Sequence, residues 1–579
     1  MPPYHRALLV FLTLCVCFGN AVWLTAVPQP AVPPRYVNSI GVMLPSDAAP
    51  PSEQVFRSFQ PDNHFMEWFR TIYKGVYGNT IIAEPLLRMD KDFNLLPAAA
   101  EQWSASSDGR IWYFYIRRGL VFSDGRPLTA HDYVYTFRRG ADPKNAYDVE
   151  WYYRPIRNWA SVVTGKMPVD SLGVRTVDDY TLAVETEQVC AYLPQLLIDS
   201  WVSPRQAVEK HGDAWSTRPE TSIASGPFYL ADWTKGNRIV LKANPQYNGP
   251  AKPYMEALVA KLYALSARPP ILAAYEADEV DYADILSQAE RGRIASDPVM
   301  AGELHSFTDF ATYYLTMNTE SGIFSDIRIR QAFSHAIDRE ALTRSALQGF
   351  AVPAHTMLPA GFPAARPETL KSFQAYDPER ARRRLAEAGY PQGRGFPSVE
   401  LWVRADSKPV NDAGEAIQAM LRQNLNIEVE MRVMEVKTFM EALNRHTLQL
   451  GLVRFGFDYV DPTALMNLWM SGGRHTWSSS LFDRLMRQAG AVVGDAERRM
   501  GLYHEAERVL VEDLGGAFLW HSVLNQIWKG RIRGESLEPN REGYRAWRVD
   551  QIGNTSPTIY VAKTSPNRSE DRRLWRRWF

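Results

Sequence analysis

The stretch from Leu95 to Arg139, LLPAAAEQWSASSDGRIWYFYIRRGLVFSDGRPLTAHDYVYTFRR, leaves a chain few ways to fold. Asp108-Gly109 is a tight-turn signal, and Ile111 to Ile116 is too short, too aromatic and too branched for anything but a strand. A second turn at Asp124-Gly125 leads to Thr129, which stands where a helix N-cap belongs. Asp132 follows in position to meet the free amides and the positive end of the helix dipole. Tyr133, Val134 and Phe137 share one face of the helix. The stretch reads strand, turn, strand, turn and helix, an α/β unit that many folds contain.

At 579 residues the chain exceeds what one hydrophobic core supports, so two or three lobes are expected. With 65 basic and 65 acidic residues it sets up no global field for nucleic acid, which is set aside as a partner. An aromatic content of 12% suits large cores or a roomy amphipathic cleft. His504-Glu505-Ala506-Glu507-Arg508 begins like a zinc-protease helix, but Arg508 stands where the second imidazole belongs, so the segment reads as a solvated helix face. There is no Gly-x-Ser-x-Gly elbow, no phosphate-cradling loop and no metal spacing among the cysteines. No enzyme activity, cofactor or metal site is expected.

Residues 7 to 27 carry no charge and follow His5 and Arg6, the pattern of a secretion signal or an uncleaved membrane anchor. Pro28, Pro30, Pro33 and Pro34 make a stiff linker after it. Cys15 loosely fits a lipoprotein processing site, although Leu14 is large for the residue before it. Either way the protein is exported, to the periplasm or the outer face of the cytoplasmic membrane. Cys190 has no partner once the leader is removed and reads as a buried inert thiol. The basic aromatic end, RRLWRRWF, is a frayed amphipathic terminus or a surface-binding tail.

Further elements are marked by their punctuation. Asp338 caps a helix expected to run through Leu342 and Leu347 to Gly349, and Asp377-Pro378 caps another that Gly389 and Pro391 close. Asp178-Asp179 is a turn ahead of a strand from Tyr180 to Val184. A strand over Ile427 to Met434 followed by a helix over Lys437 to Asn444 continues the α/β alternation. The prolines between Tyr36 and Asn79 interrupt any long element there.

Several blocks carry a resemblance. DGRIWYFYIRRGLVFSDGRPLTAHDYVYTFRR is followed by SLGVRTVDDYTLAV at Ser171, SGPFYLADWTKGNRIVLKANPQY at Ser225 and MNTESGIFSDIRIRQAFSHAIDREAL at Met317. YDPERARRRLAEAGYPQG at Tyr376 and RFGFDYVDP at Arg454 complete the series. In that order they resemble the family 5 extracellular solute-binding proteins of ABC importers, most of all the oligopeptide-binding members of the peptide and nickel group. The resemblance spans about 84 to 547. It implies an α/β, two-lobed periplasmic-binding-protein fold, of class II and the large cluster C type, with an extra inserted lobe. Its segments interleave: after a leader and linker at 1-35, segments 36-83, 206-313 and 532-579 form lobe I, 84-205 the inserted lobe II, and 314-531 lobe III.

It also implies a site. Asp458 matches the carboxylate that pairs with a ligand's α-ammonium in oligopeptide-binding relatives, and Arg454, Phe455 and Gly456 form the strand that hydrogen-bonds the ligand backbone. Backbone pairing gives affinity without reading side chains, and the ammonium pair sets register. Phe455 and Phe457 are expected on opposite faces, so that at most one lines the cleft. Tyr73 is the candidate on the facing edge, Arg445 stands near the position that meets the ligand's carboxyl end, and Tyr147 and Tyr153 border the cleft. The implied function is capture of short peptides by strand pairing and lobe closure, as a monomer, with delivery to importer permease subunits. The alternatives are another solute on the same fold (dipeptide, cell-wall peptide, nickel chelate, haem or oligosaccharide), or an adhesion or chaperone role at the cell surface.

Overall fold

The structure is a computed structural model that describes residues 35–70, 77–147, 151–405, 408–549, 551, 553 and 557–563. The leader with Cys15, the proline linker, Tyr73 and the basic aromatic tail lie outside them. Among the described residues no helix is long and apolar enough to cross a membrane, and no group of acids, histidines and cysteines is arranged to hold a metal ion.

Three larger sheets organise the chain. The first runs in the order Val55–Pro61, Ala257–Tyr263, Arg238–Ala243, Phe228–Thr234, its first pair parallel and the rest antiparallel. The second is antiparallel, in the order Ala100–Ala105, Ile111–Ile116, Thr181–Glu185, Val174–Asp178. The third is mixed. Its order is Tyr282–Ile285, Gly516–Trp528, Leu304–Met317, Leu450–Gly456, Val399–Arg404, Val429–Met434, with Ala351–Pro353 paired to Gly516–Trp528.

The local chemistry explains the elements. Gly109 and Gly125 take the positive φ their turns need, at 70° and 85°. Helix Ala130–Ala141 starts at Thr129, whose amide and hydroxyl both donate to Asp132, at 2.9 and 3.1 Å. Asp338 accepts from the Ala341 amide at 2.9 Å, but its helix ends at Ser345, earlier than Gly349, because the chain must turn into the Ala351–Pro353 strand. Asp377 accepts from the Arg380 amide at 2.8 Å with Pro378 as the first helical residue. Asp178 ends its strand and takes the Tyr180 amide at 2.8 Å.

One reading is refined and one corrected. The proline-rich opening holds a strand, Val55–Pro61, disguised by Arg57, which is buried in ion pairs with Asp281 at 2.9 Å and Asp278 at 3.4 Å. The helix face carrying Glu507 is not solvated. Glu507 has no exposed surface and accepts the Leu358 amide at 2.7 Å, and burial pushes its carboxyl up to about 8. Cys190 is buried and free, and burial pushes its thiol up to about 12.

Strands Leu304–Met317 and Gly516–Trp528 pair along most of their length and pass from one core to another. Phe307 and Trp528 belong to the core under the first sheet, whereas Leu315, Met317, Ala517 and Leu519 belong to the core of the third. Their register breaks between Thr308 and Thr312, where Phe310 is held at φ 46°. An irregularity of that kind bends a strand locally, and here it falls between the two cores.

Candidate functional site

Strand Leu450–Gly456 sits between Leu304–Met317 and Val399–Arg404, and the two neighbours do not flank it equally. Leu304–Met317 pairs with it as far as Gly456, but Val399–Arg404 reaches only Leu452. From Val453 to Gly456 one edge has no strand partner among the described residues. A row of main-chain donors and acceptors left open in this way is a template for an added strand.

Asp458 follows that open edge. Phe457, Asp458 and Tyr459 line a cavity of ≈ 220 Å³ with Asp199, Trp201 and Trp547, which belong to distant parts of the chain. No hydrogen bond or ion pair engages the Asp458 carboxylate among the described residues. It is exposed to solvent, yet protein closes around it, and that desolvation pushes its carboxyl up to about 6; the positive charge of Arg474 pulls it down and the negative charge of Asp199 pushes it further up. Behind it the loop is pinned. Asp461 caps helix Pro462–Met466 through the Thr463 amide at 3.1 Å and forms a buried ion pair with Arg499 at 2.8 Å.

The other implied residues scatter. Arg454 turns its guanidinium to Asp309 at 2.6 Å, beside the bend in the crossing strand, and so contributes its backbone and not its charge to the open edge. Gly456 ends the strand with its α-carbon opposite Ala311. Phe455 and Phe457 do not point apart: both pack on the core that holds Phe310 and Phe362, as residues two apart on an extended segment do, and only Phe457 lines the cavity. Arg445 is exposed at the end of helix Val436–Asn444, before the strand begins, and so at the opposite end of it from Asp458. Tyr147 is buried beside the Arg139 guanidinium, 5.6 Å from its ring, away from the cavity. Tyr153 is wholly buried and stacks on Phe69, and its hydroxyl donates to the Asp199 carbonyl at 2.5 Å.

Residues that motif reading missed stand where those were expected. Tyr152, next to Tyr153, donates to Asp199 Oδ2 at 2.6 Å and lies 3.3 Å from the Asp458 carbonyl, bridging two sheet units. Trp201 Nε1 donates to Asp199 Oδ1 at 3.1 Å. Tyr192 stacks on Tyr459 with ring centres 5.7 Å apart. Arg474 lies over Phe455 at 5.9 Å. Nothing in the local sequence around Asp199 or Arg474 marks them; only their meeting with Asp458 does.

An inserted sheet unit, two strands crossing between cores, and a cavity where distant segments meet define a two-lobed solute-binding protein. The family model for bacterial extracellular solute-binding proteins, family 5 Middle, matches residues 94–477, and the chain belongs to that family. It is 30% identical over 465 residues to the periplasmic oligopeptide-binding protein OppA of Salmonella typhimurium, covering 78% of this chain and 84% of that one. It is 29% identical over 466 residues to YgiS of Escherichia coli, named as a probable deoxycholate-binding periplasmic protein, covering 78% and 85%. Among solved structures, the unliganded open form of the murein tripeptide-binding protein MppA aligns with a TM-score of 0.76 at 22% identity, over 90% of this chain and 99% of that one. The expected two-lobed periplasmic-binding fold is the fold of this chain.

Proposed function

We propose that this protein captures short peptides outside the cytoplasmic membrane and delivers them to the permease of an ABC importer. In this reading 36-83, 206-313 and 532-579 form one lobe, 84-205 an inserted lobe and 314-531 the opposite lobe, closing on the ligand about the two crossing strands. The observation that carries it is a carboxylate without a partner among the described residues, Asp458, placed after a strand edge that they leave open from Val453 to Gly456. A peptide pairing with that edge brings its α-ammonium to Asp458, and the charged contact anchors one end while main-chain bonds hold the rest. Contacts to both lobes at once supply the differential affinity that closure requires.

The names of the relatives support peptides: OppA is an oligopeptide binder, and solved relatives include one from Haemophilus influenzae in complex with a peptide. The name of YgiS raises a bile acid as a second ligand class. Against it, the cavity beside Asp458 carries two carboxylates, and an anion there meets like charge. Calorimetry with a free and an N-acetylated tripeptide tests the reading. The free peptide is expected to bind and the acetylated one to lose most of its affinity, and equal binding of the two sinks the ammonium contact. Native mass spectrometry of protein purified without refolding, giving a single non-peptide mass, overturns the peptide class.

A further inference from the structure

The cavity beside Asp458 holds a second acid that the α-ammonium contact does not use. Asp199 lies in the same wall, and its two oxygens take hydrogen bonds from neutral donors only, the Tyr152 hydroxyl at 2.6 Å and the Trp201 indole at 3.1 Å. No ion pair reaches it among the described residues. The cation that lines this cavity, Arg88, is already neutralised. Its Nη2 pairs with the buried Glu84 at 3.1 Å and its Nη1 donates to the Gly553 carbonyl at 2.9 Å. Arg474 lies near Asp458 but does not line the cavity. Two carboxylates therefore face one small space whose only lining cation among the described residues, Arg88, is already paired.

The remaining walls are aromatic, with Trp201, Phe457, Tyr459 and Trp547 around the acids. Such walls pack against an aliphatic stem and favour a cation at its end.

We propose that Asp199 is a specificity-determining residue of this site, and that the preferred ligands are peptides whose first residue carries a basic side chain. The inference rests on the peptide reading above. An α-ammonium alone compensates one carboxylate. Closing the lobes over it would leave the other carboxylate desolvated with only neutral donors to meet its charge. A lysyl or arginyl first residue brings the second positive charge to Asp199, while Asp458 keeps the ammonium. Burial holds the Asp199 carboxyl up to about 6, so it is ionised and available at neutral pH.

The test is calorimetry on the full chain with lysyl-dialanine and norleucyl-dialanine, which differ in one charge at nearly constant shape, against the wild type and Asp199→Asn. The wild type is expected to bind the lysyl peptide about tenfold or more tighter, as one charge-assisted contact gives. Asp199→Asn is expected to erase that preference and leave the norleucyl peptide within about threefold. Asparagine keeps an acceptor for Tyr152, and an unchanged unfolding midpoint checks the fold. No lysyl preference in the wild type overturns the proposal, and so does an equal loss for both peptides in the variant. Cadaverine separates this inference from the peptide reading. If no peptide binds but cadaverine does, and Asp199→Asn abolishes it, the two-acid site stands and the peptide reading falls. If neither binds, both fall.

Discussion

At the scale of single residues, the chemistry of this protein is that of acids whose surroundings favour the neutral form. In the proposed reading Asp458 must be ionised to hold an ammonium, and its carboxyl sits at about 6 instead of the usual 3.8. For a tripeptide with neutral side chains, affinity is therefore expected to be full above about pH 7. It should then fall as the pH drops through 6, approaching about tenfold per unit once the neutral acid dominates. Calorimetry across that range measures the slope. Asp458→Asn should remove the part of the fall that its own protonation causes, leaving only what Asp199, also at about 6 in the same cavity, contributes, and cost about 1.5–3 kcal/mol of binding at neutral pH. Glu507 is the buried counterpart. Its folded value of about 8 lies above an ordinary 4.5, so its contribution to stability is complete below about pH 4.5 and is lost as pH rises to 8, where the unfolded chain has given up the proton that the native state keeps. Glu507→Gln removes that loss. Urea unfolding should show its stability gaining on the wild type by up to about 1.4 kcal/mol per pH unit across this window.

At the scale of elements, the open edge from Val453 to Gly456 can serve as the proposed binding edge only if the loop after it is fixed. Asp461 and Arg499 are both nearly buried, at 1% and 9% exposure, and their ion pair ties that loop to helix Ala496–Glu512. Asp461→Asn leaves an uncompensated guanidinium in the interior, and a loss of about 3 kcal/mol or more is expected in chemical unfolding. Pairing it with Arg499→Met should return part of that, since removing both charges is cheaper than stranding one. Elements with local punctuation are legible in the amino-acid sequence. The capping pairs at Thr129 and Asp377 and the turns at Gly109 and Gly125 are written within a few residues of one another. The strand Val55–Pro61 is not, because the acids that make Arg57 tolerable there come from Asp278 and Asp281, more than two hundred positions away.

At the scale of the whole molecule, the two strands that pass between cores are the mechanical link. The break in register between Thr308 and Thr312, with Phe310 in the left-handed region, places a bend between the two cores, where the proposed closure requires one. Asp309, beside that bend, accepts from Arg454 of the open edge, so the edge and the bend are joined by one ion pair at 2.6 Å. Addition of a bound tripeptide should lower the radius of gyration in solution scattering, and an unchanged curve at saturating peptide would exclude closure. Asp309→Asn is expected to keep the fold and alter the ligand concentration at which the change occurs.

The order of the motifs, the strand Leu450–Gly456 and the acid that follows it were readable from the chain alone, because each depends on neighbours in sequence: turn residues, caps, alternation and a short signature; the class of fold followed only from the family resemblance those motifs carry. Which groups share the cavity was decided by tertiary structure. Tyr152 and not Tyr153 reaches Asp458, Arg454 spends its charge on Asp309, Arg445 stays at the other end of its strand, and Asp199 arrives from a separate sheet unit. Secondary structure is set by interactions a few residues long, whereas the charge, burial and open edge of a site are sums over segments that only folding brings together.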